Sequence, residues 1–198
     1  MNQKTAMKLF GLLGLLMLLS CGYADRHRNN SSCEQVLVDS LEVRVQDSLF
    51  SNVHYSRSQV LDALTQTQDS QVYYRLLALY GKTFFVSSDY DSILYYNRRV
   101  KEFSRNASQS SESLQSPQWN DVLSDVYNIE GNVWMQLNRP DSAITDYKKA
   151  YEYRLKGKKL HLLPDICINI ADAYLHRSDL AHTASYYRRA LFLCDSLN

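Results

Sequence analysis

Along most of this chain, apolar positions recur at the three- and four-residue spacing of an amphipathic helix. The pattern starts at about Cys33, with Val36, Leu41, Val45 and Leu49 on one stripe. His54 to Ser58 reads as a break, and Val60, Leu61 and Leu64 mark a shorter second helix before the polar run TQTQDSQ. From Gln71 onward, helical stretches alternate with the polar turns VSSDYDS, NRPDS and RSDLAH. The pattern predicts an all-α fold of helix–turn–helix pairs.

One outline appears repeatedly. GNVWMQLNRPDSAITDYKKAYEY, Gly131 to Tyr153, is followed forty residues later by ADAYLHRSDLAHTASYYRRALFL, Ala171 to Leu193. An earlier copy is built around Gly81, fifty residues before Gly131. The residue types have a packing reason. Gly81, Gly131 and Ala171 let paired helices approach closely, and the aromatics one turn later fill the gap between them. Ala143, Ala150 and Ala190 let the second helix of a pair meet the next pair. The extra length between the first two copies falls at SRNASQSSESLQSPQWN, Ser104 to Asn120, which reads as a surface loop.

These slots resemble the tetratricopeptide pattern W-x2-L-G-x2-Y…A-x3-F. In the clearest copy Tyr127 takes the tryptophan slot, Gly131 the glycine, Trp134 the tyrosine, Ala143 the alanine and Tyr147 the phenylalanine. Glu130 stands where leucine is usual and Leu155 where proline is usual. In the last copy Cys167, Ile170, Ala171 and Tyr174 precede Thr183, Tyr187 and Ala190. In the first, Leu77, Tyr80, Gly81 and Phe84 precede Ile93, Asn97 and Val100, with Tyr96 beside the polar Asn97.

The resemblance implies a tetratricopeptide-type helix-turn-helix solenoid, with units at 71–105, 120–157 and 161–198. A serine-rich loop spans 106–119, and a divergent helical hairpin at 33–67 precedes the units. It also implies a groove lined by the first helices. Stepping along those helices places Arg75 and Lys82, with Ala78 and Phe85, on the groove face of the first unit. Asp125, Asn128 and Asn132, with Met135, follow in the second, and Asp165 and Asp172, with Ile168 and Leu175, in the third. Asparagine amides one turn apart suit an extended peptide backbone, the aspartates a basic segment, and Arg75 and Lys82 an acidic end. Solvated polar residues would carry the same spacing.

Composition narrows the function. The 198 residues carry a net charge of +1, without the clustered basic excess that nucleic acid requires. Tyrosine is abundant at 15, while 6 glycines and 3 prolines leave few helix breakers. Residues 1–21 form a leader, with Lys4 and Lys8 before an apolar run from Leu9 to Leu19, too short to span a bilayer comfortably. Its ending, Leu18-Leu19-Ser20-Cys21, resembles the bacterial lipobox, which implies lipidation of Cys21. Ordinary cleavage near Ala24 and a retained anchor are the alternatives. Residues 22–32 read as a polar tether.

The chemistry-bearing residues do not assemble into a catalytic or metal motif. The 4 cysteines form no C-x-x-C pair, and the 5 histidines no zinc-like cluster. Cys167 and Cys194, early in one helix of the last unit and late in the other, form either a disulfide or two free buried thiols. Gly81-Lys82-Thr83 matches the tail of a P-loop, but Leu76 replaces the required upstream glycine. No catalytic residue, metal site or cofactor is therefore expected. The pairs Arg98-Arg99, Lys148-Lys149 and Arg188-Arg189 form either a stripe for an acidic partner or a solvated outer face. The Asp-Ser-apolar triplets at Asp91 and Asp141 suit helix starts, and also look like the acceptors of a periplasmic O-glycosylation system.

The leader, the divergent start and the tyrosine-rich repeats together are similar to the periplasmic N-terminal region of certain bacterial membrane regulators. In those, a tetratricopeptide array precedes a transmembrane helix and a histidine kinase or helix-turn-helix output. This implies a non-enzymatic protein- or peptide-binding module facing the periplasm, held by a lipid or by a downstream membrane segment, as the sensor portion of such a regulator. The alternative is a free-standing lipoprotein scaffold of an envelope complex. LCDSLN ends the chain without a polar capping helix, so Tyr186, Leu191 and Leu193 are expected to be partly exposed.

Overall fold

Asn52, Asp69 and Ser116 each start a helix in the same way. Their side chains accept hydrogen bonds from backbone N–H groups of the first turn. The computed structural model describes residues 34–107 and 116–197, and among these there are eight α-helices and no strand. They are α1 (34–48), α2 (Val53–Gln66), α3 (Ser70–Lys82), α4 (Tyr90–Ala107), α5 (Pro117–Gln136), α6 (Pro140–Arg154), α7 (Leu163–His176) and α8 (Leu180–Leu197). A single 3₁₀ turn, Leu160–Leu162, leads into α7.

The helices pack on their chain neighbours and next-but-one neighbours, so the core is a series of apolar clusters rather than one ball. Val38, Leu41 and Val45 of α1, with Leu49 just after it, join Val60 of α2 and Val72 and Leu76 of α3. Leu77 and Val100 join Trp119, Val122, Leu123 and Val126 of α5. Ala143, Ile144, Tyr147 and Ala150 of α6 join Ile166, Ile170, Ala173 and Tyr174 of α7. Burying such surface at roughly 25 cal/mol per Å² is what holds helices too short to persist alone.

Within the α3–α4 and α5–α6 pairs, glycine makes room for the facing aromatic. A Cβ at Gly131 would collide with the Tyr147 ring, and one at Gly81 would stand 3.0 Å from Tyr96 Cβ. Tyr96 thus fills the aromatic slot of the first copy. Asn97 is fully buried beside it, its Oδ1 3.6 Å from the Gly81 Cβ position and its Nδ2 donating to the Val126 carbonyl on α5 at 3.2 Å.

The joints α3–α4, α5–α6 and α7–α8 share one construction. Ser88, Asn138 and Ser178 lie seven residues after Gly81, Gly131 and Ala171, with φ of 54°, 54° and 58°. Each donates to the carbonyl three residues back (Phe85, Met135, Leu175), and the next N–H reaches back five, to Phe84, Trp134 and Tyr174. This is the left-handed helix stop usually given to glycine. Asp89 and Asp179, the next residues, cap α4 and α8 by accepting from the N–H of Ser92 and His182 at 3.1 Å. Arg139 holds that place in the middle joint with no side-chain cap, and Pro140 starts α6 instead.

Four details differ from the sequence reading. His54 to Ser58 is helical, because Asn52 caps α2 just upstream. Val36 is exposed and Val38 takes its place in the stripe, since α1 faces both α2 and α3. Helix extends into the serine-rich stretch from both sides, to Ala107 and from Pro117. Asp91 and Asp141 lie inside the first turn, where they face the helix dipole, rather than at the cap.

The serines at left-handed φ carry a conformational cost that glycine would not. Ser88→Gly and Ser178→Gly are each expected to raise the unfolding free energy by about 0.5 kcal/mol, net of glycine's greater unfolded-state entropy. Asn138→Gly should change little, because asparagine tolerates this conformation. Urea unfolding followed by circular dichroism measures all three, and a larger gain at Asn138 than at either serine would sink the account.

Candidate functional site

The groove-facing stripe of α3 is covered within the chain. Arg75 is 8% exposed. Its Nε donates to Glu42 Oε1 and its Nη1 to Gln35 Oε1, both at 2.9 Å, while Nη2 is paired with Asp39. Lys82 Nζ donates to Gln46 Oε1 at 2.7 Å. All four acceptors lie on α1, at the 4-3-4 spacing of one helical face. The assignment of Arg75 and Lys82 to an acidic ligand is therefore corrected: α1 supplies their acceptors. The polar stripe Gln35–Asp39–Glu42–Gln46 was the sequence signal for it. Thr83, from the P-loop-like stretch, sits buried at the α3–α4 joint and accepts from Arg57 Nε at 3.3 Å.

Charged contacts continue onto α5. Arg154, at the end of α6, is 1% exposed. It donates through Nη1 to Asp121 Oδ1 at 2.7 Å and through Nη2 to Asp125. Asp121 also accepts the backbone N–H of Lys158 at 2.9 Å and of Lys159 at 3.2 Å. A side chain at Gly157 would collide with that carboxylate. Lys159 Nζ reaches Glu42 Oε2 at 3.0 Å, which links the α1–α3 cluster to the α5–α6–α7 cluster. Asp125 is thus engaged by an internal arginine.

The remaining predicted residues separate into two groups. Asn128 Oδ1 accepts from Asn169 Nδ2 of α7 at 3.0 Å, and Asn132 Oδ1 from the Tyr147 hydroxyl at 2.7 Å. Asp172 accepts from the Tyr187 hydroxyl, the same relation one pair later. Burial pushes the Tyr147 hydroxyl up, and the bond to Asp172 does the same for Tyr187. Asp165, by contrast, is exposed, and Ile168 and Leu175 are 39% and 47% exposed. Asp165, Ile168, Asp172 and Leu175 form one stripe on α7 in which carboxylates alternate with aliphatic side chains, and its exposed members Asp165, Ile168 and Leu175 are the accessible part of the predicted groove.

Glu130 has a role that its place in the repeat pattern does not reveal. It is 4% exposed on α5, and Lys101 Nζ of α4 contacts both its oxygens, at 2.7 and 2.6 Å. Burial holds its carboxyl above the ordinary range, and the charge of Lys101 opposes that shift. Burial, with Tyr153 and Glu130 nearby, pushes the Tyr127 hydroxyl up to about 12. The departure from leucine at 130 is thus one half of an ion pair between successive helix pairs.

The basic pairs are partly used in packing. Lys148 donates to the Tyr174 hydroxyl at 2.9 Å, Lys149 lies 3.5 Å from Asp146, and Arg189 lies over the Tyr151 ring at 4.7 Å. Arg98 is exposed. Cys167 and Cys194 are both free thiols: Cys167 is buried, its thiol pushed up to about 11 by burial, and Cys194 is exposed. The disulfide reading is therefore corrected, as is the reading of Cys194 as buried. Cys21, the leader and the tether lie outside the described residues. Among the described residues no helix is long and apolar enough to cross a membrane, and no group of three His, Cys, Asp or Glu could hold a metal ion. A concavity of about 440 Å³ lined by Tyr74, Arg99, Glu102 and Phe103 lies away from the predicted groove. No family model matches the chain, and no curated protein matches it.

Lys101→Met would leave Glu130 buried and unpaired. The expected loss is about 2 kcal/mol at pH 7.5, below the usual figure for a broken buried pair because Lys101 keeps 24% side-chain exposure. A carboxyl held above its ordinary range stabilises the fold while protonated and loses that contribution as pH climbs through the raised value. The loss should therefore shrink at pH 4.5. Adding Glu130→Leu should restore most of the stability. Urea titrations at the two pH values check this, and an equal loss at both would contradict it.

Proposed function

We propose that this chain is a non-enzymatic, tetratricopeptide-type module that binds protein or peptide in the bacterial envelope. The observation that carries the reading is the threefold recurrence of a small residue with a left-handed joint seven residues on, joined at Gly81 and Gly131 by an aromatic side chain packed on the glycine. Repetition of one helix pair gives an extended surface, and such surfaces serve as binding scaffolds. The α7 stripe of Asp165, Ile168, Asp172 and Leu175 suits a segment with a basic residue beside an aliphatic one.

The resemblance to the periplasmic arrays of membrane regulators makes the sensor portion of such a protein the leading role. The Leu-Leu-Ser-Cys ending of the leader favours a second role, a lipid-anchored scaffold of an envelope complex. Mass spectrometry of the mature N-terminus separates them: diacylglycerol on Cys21 supports the scaffold, and a free N-terminus near Ala24 weighs against it.

The binding reading is tested by panning a random peptide library against residues 22–198. Enriched peptides should carry Lys or Arg next to Leu, Ile or Val. Asp165→Lys with Ile168→Glu should weaken them at least about tenfold, or roughly 1.4 kcal/mol. Arg98→Ala with Arg99→Ala should leave them unchanged. Binding that depends only on the outer arginines would sink the assignment.

A further inference from the structure

Within the molecule, the second helix of one pair meets the first helix of the next at fixed positions. On α6, Ile144 and Tyr147, with Tyr151 against them, share a cluster with Ile166, Ile170, Ala173 and Tyr174 of α7. Met135 of α5 packs against the same cluster, and Lys148 donates to the Tyr174 hydroxyl. One pair earlier, α4 uses the corresponding positions toward α5. Asn97 donates to the Val126 carbonyl, Lys101 pairs with Glu130, and Ser104 Oγ accepts from Trp119 Nε1 at 3.0 Å.

Forty residues beyond these α5–α6 contact positions stand Leu175 on α7 and Ala184, Tyr187 and Leu191 on α8. Leu191 is 67% exposed, Ala184 is exposed, and Tyr187 is half-buried. Leu180 extends the same stripe toward the joint and is also exposed. The α7–α8 surface therefore repeats, in position and apolar character, the surface that α5–α6 covers with α7.

We infer that the crease between α7 and α8 is a docking site for an amphipathic partner helix, seated as α7 sits on α5–α6. Its chemistry follows from what the internal interface accepts. α7 presents isoleucines four residues apart, then alanine and tyrosine. Arg188 stands where Lys148 meets the Tyr174 hydroxyl, so it faces a tyrosine or an acid on the partner. Ile168 replaces Asn128, so the partner carries an aliphatic residue where α7 carries Asn169. The inference deepens the binding-module reading and rests on it for the claim that this surface is used.

The test uses the chain from residue 22 onward and a fluorescein-labelled synthetic peptide copying residues 160–176, with Asn169 replaced by leucine and a hydrocarbon staple on its solvent face. Anisotropy should show saturable binding below about 1 mM, weakened at least about tenfold by Leu191→Glu. That residue is exposed, so the fold should persist, which circular dichroism verifies. A scrambled stapled peptide should not bind. No saturation, or equal binding to the Leu191→Glu chain, overturns the inference. So does sedimentation showing that the chain dimerises through this face and that Leu191→Glu restores the monomer, because the occupant is then a second copy. If library peptides respond to Asp165 and Ile168 while the helical probe fails, the partner-helix inference falls and the binding-module reading stands.

Discussion

A guanidinium with almost no access to water sets the register of three helices. Removing Arg154 and Asp121 from solvent costs several kcal/mol per charge, a cost offset only when every remaining polar atom finds good geometry. The chain meets most of that requirement locally. Asp121 takes Arg154 on one side and two consecutive backbone N–H groups on the other, while Asp125 takes the second guanidinium nitrogen. The start of α5, the end of α6 and the entry to α7 are thereby fixed relative to one another. Apolar burial is non-directional and would tolerate a slip. Charged pairs would not, and comparable contacts recur at Arg75 and Lys101.

This division of labour explains what could be read from the sequence. Periodicity reports which face of a helix is apolar, so the helix pairs, the small-residue slots and the polar turns were all visible. Periodicity does not report which neighbour covers a polar face. Arg75 and Lys82 are engaged by α1 and Asp125 by Arg154, which their spacing along the helix could not reveal. Glu130 was legible only as an exception to a pattern, because its explanation lies twenty-nine residues away on another helix. The start of α2 was missed for a local reason, since Asn52 as a cap outweighs the polar run that follows it.

The same logic separates α7 from its predecessors. The polar stripes of α3 and α5 are tied down by neighbouring helices, through Gln35 to Gln46 in one case and Asn169 in the other. On α7 the corresponding stripe leaves Asp165, Ile168 and Leu175 exposed, while Asp172 is engaged by the Tyr187 hydroxyl. A surface whose polar groups already satisfy one another has little to offer a ligand, because binding must first break those bonds.

The two tryptophans are placed unequally, with consequences for how the chain reports on itself. Trp119 is 3% exposed between successive helix pairs and bonded to Ser104, whereas Trp134 sits within one pair, its indole N–H on Asp146 at 2.8 Å. Neither the α1–α2 hairpin nor the α7–α8 hairpin contains an indole. Intrinsic fluorescence excited at the indole band thus watches the middle of the array alone, while the far-ultraviolet signal sums over all of it. In a protein whose units lean on one another in series, the gap between those two signals is a direct gauge of how far cooperativity extends from the centre to the ends.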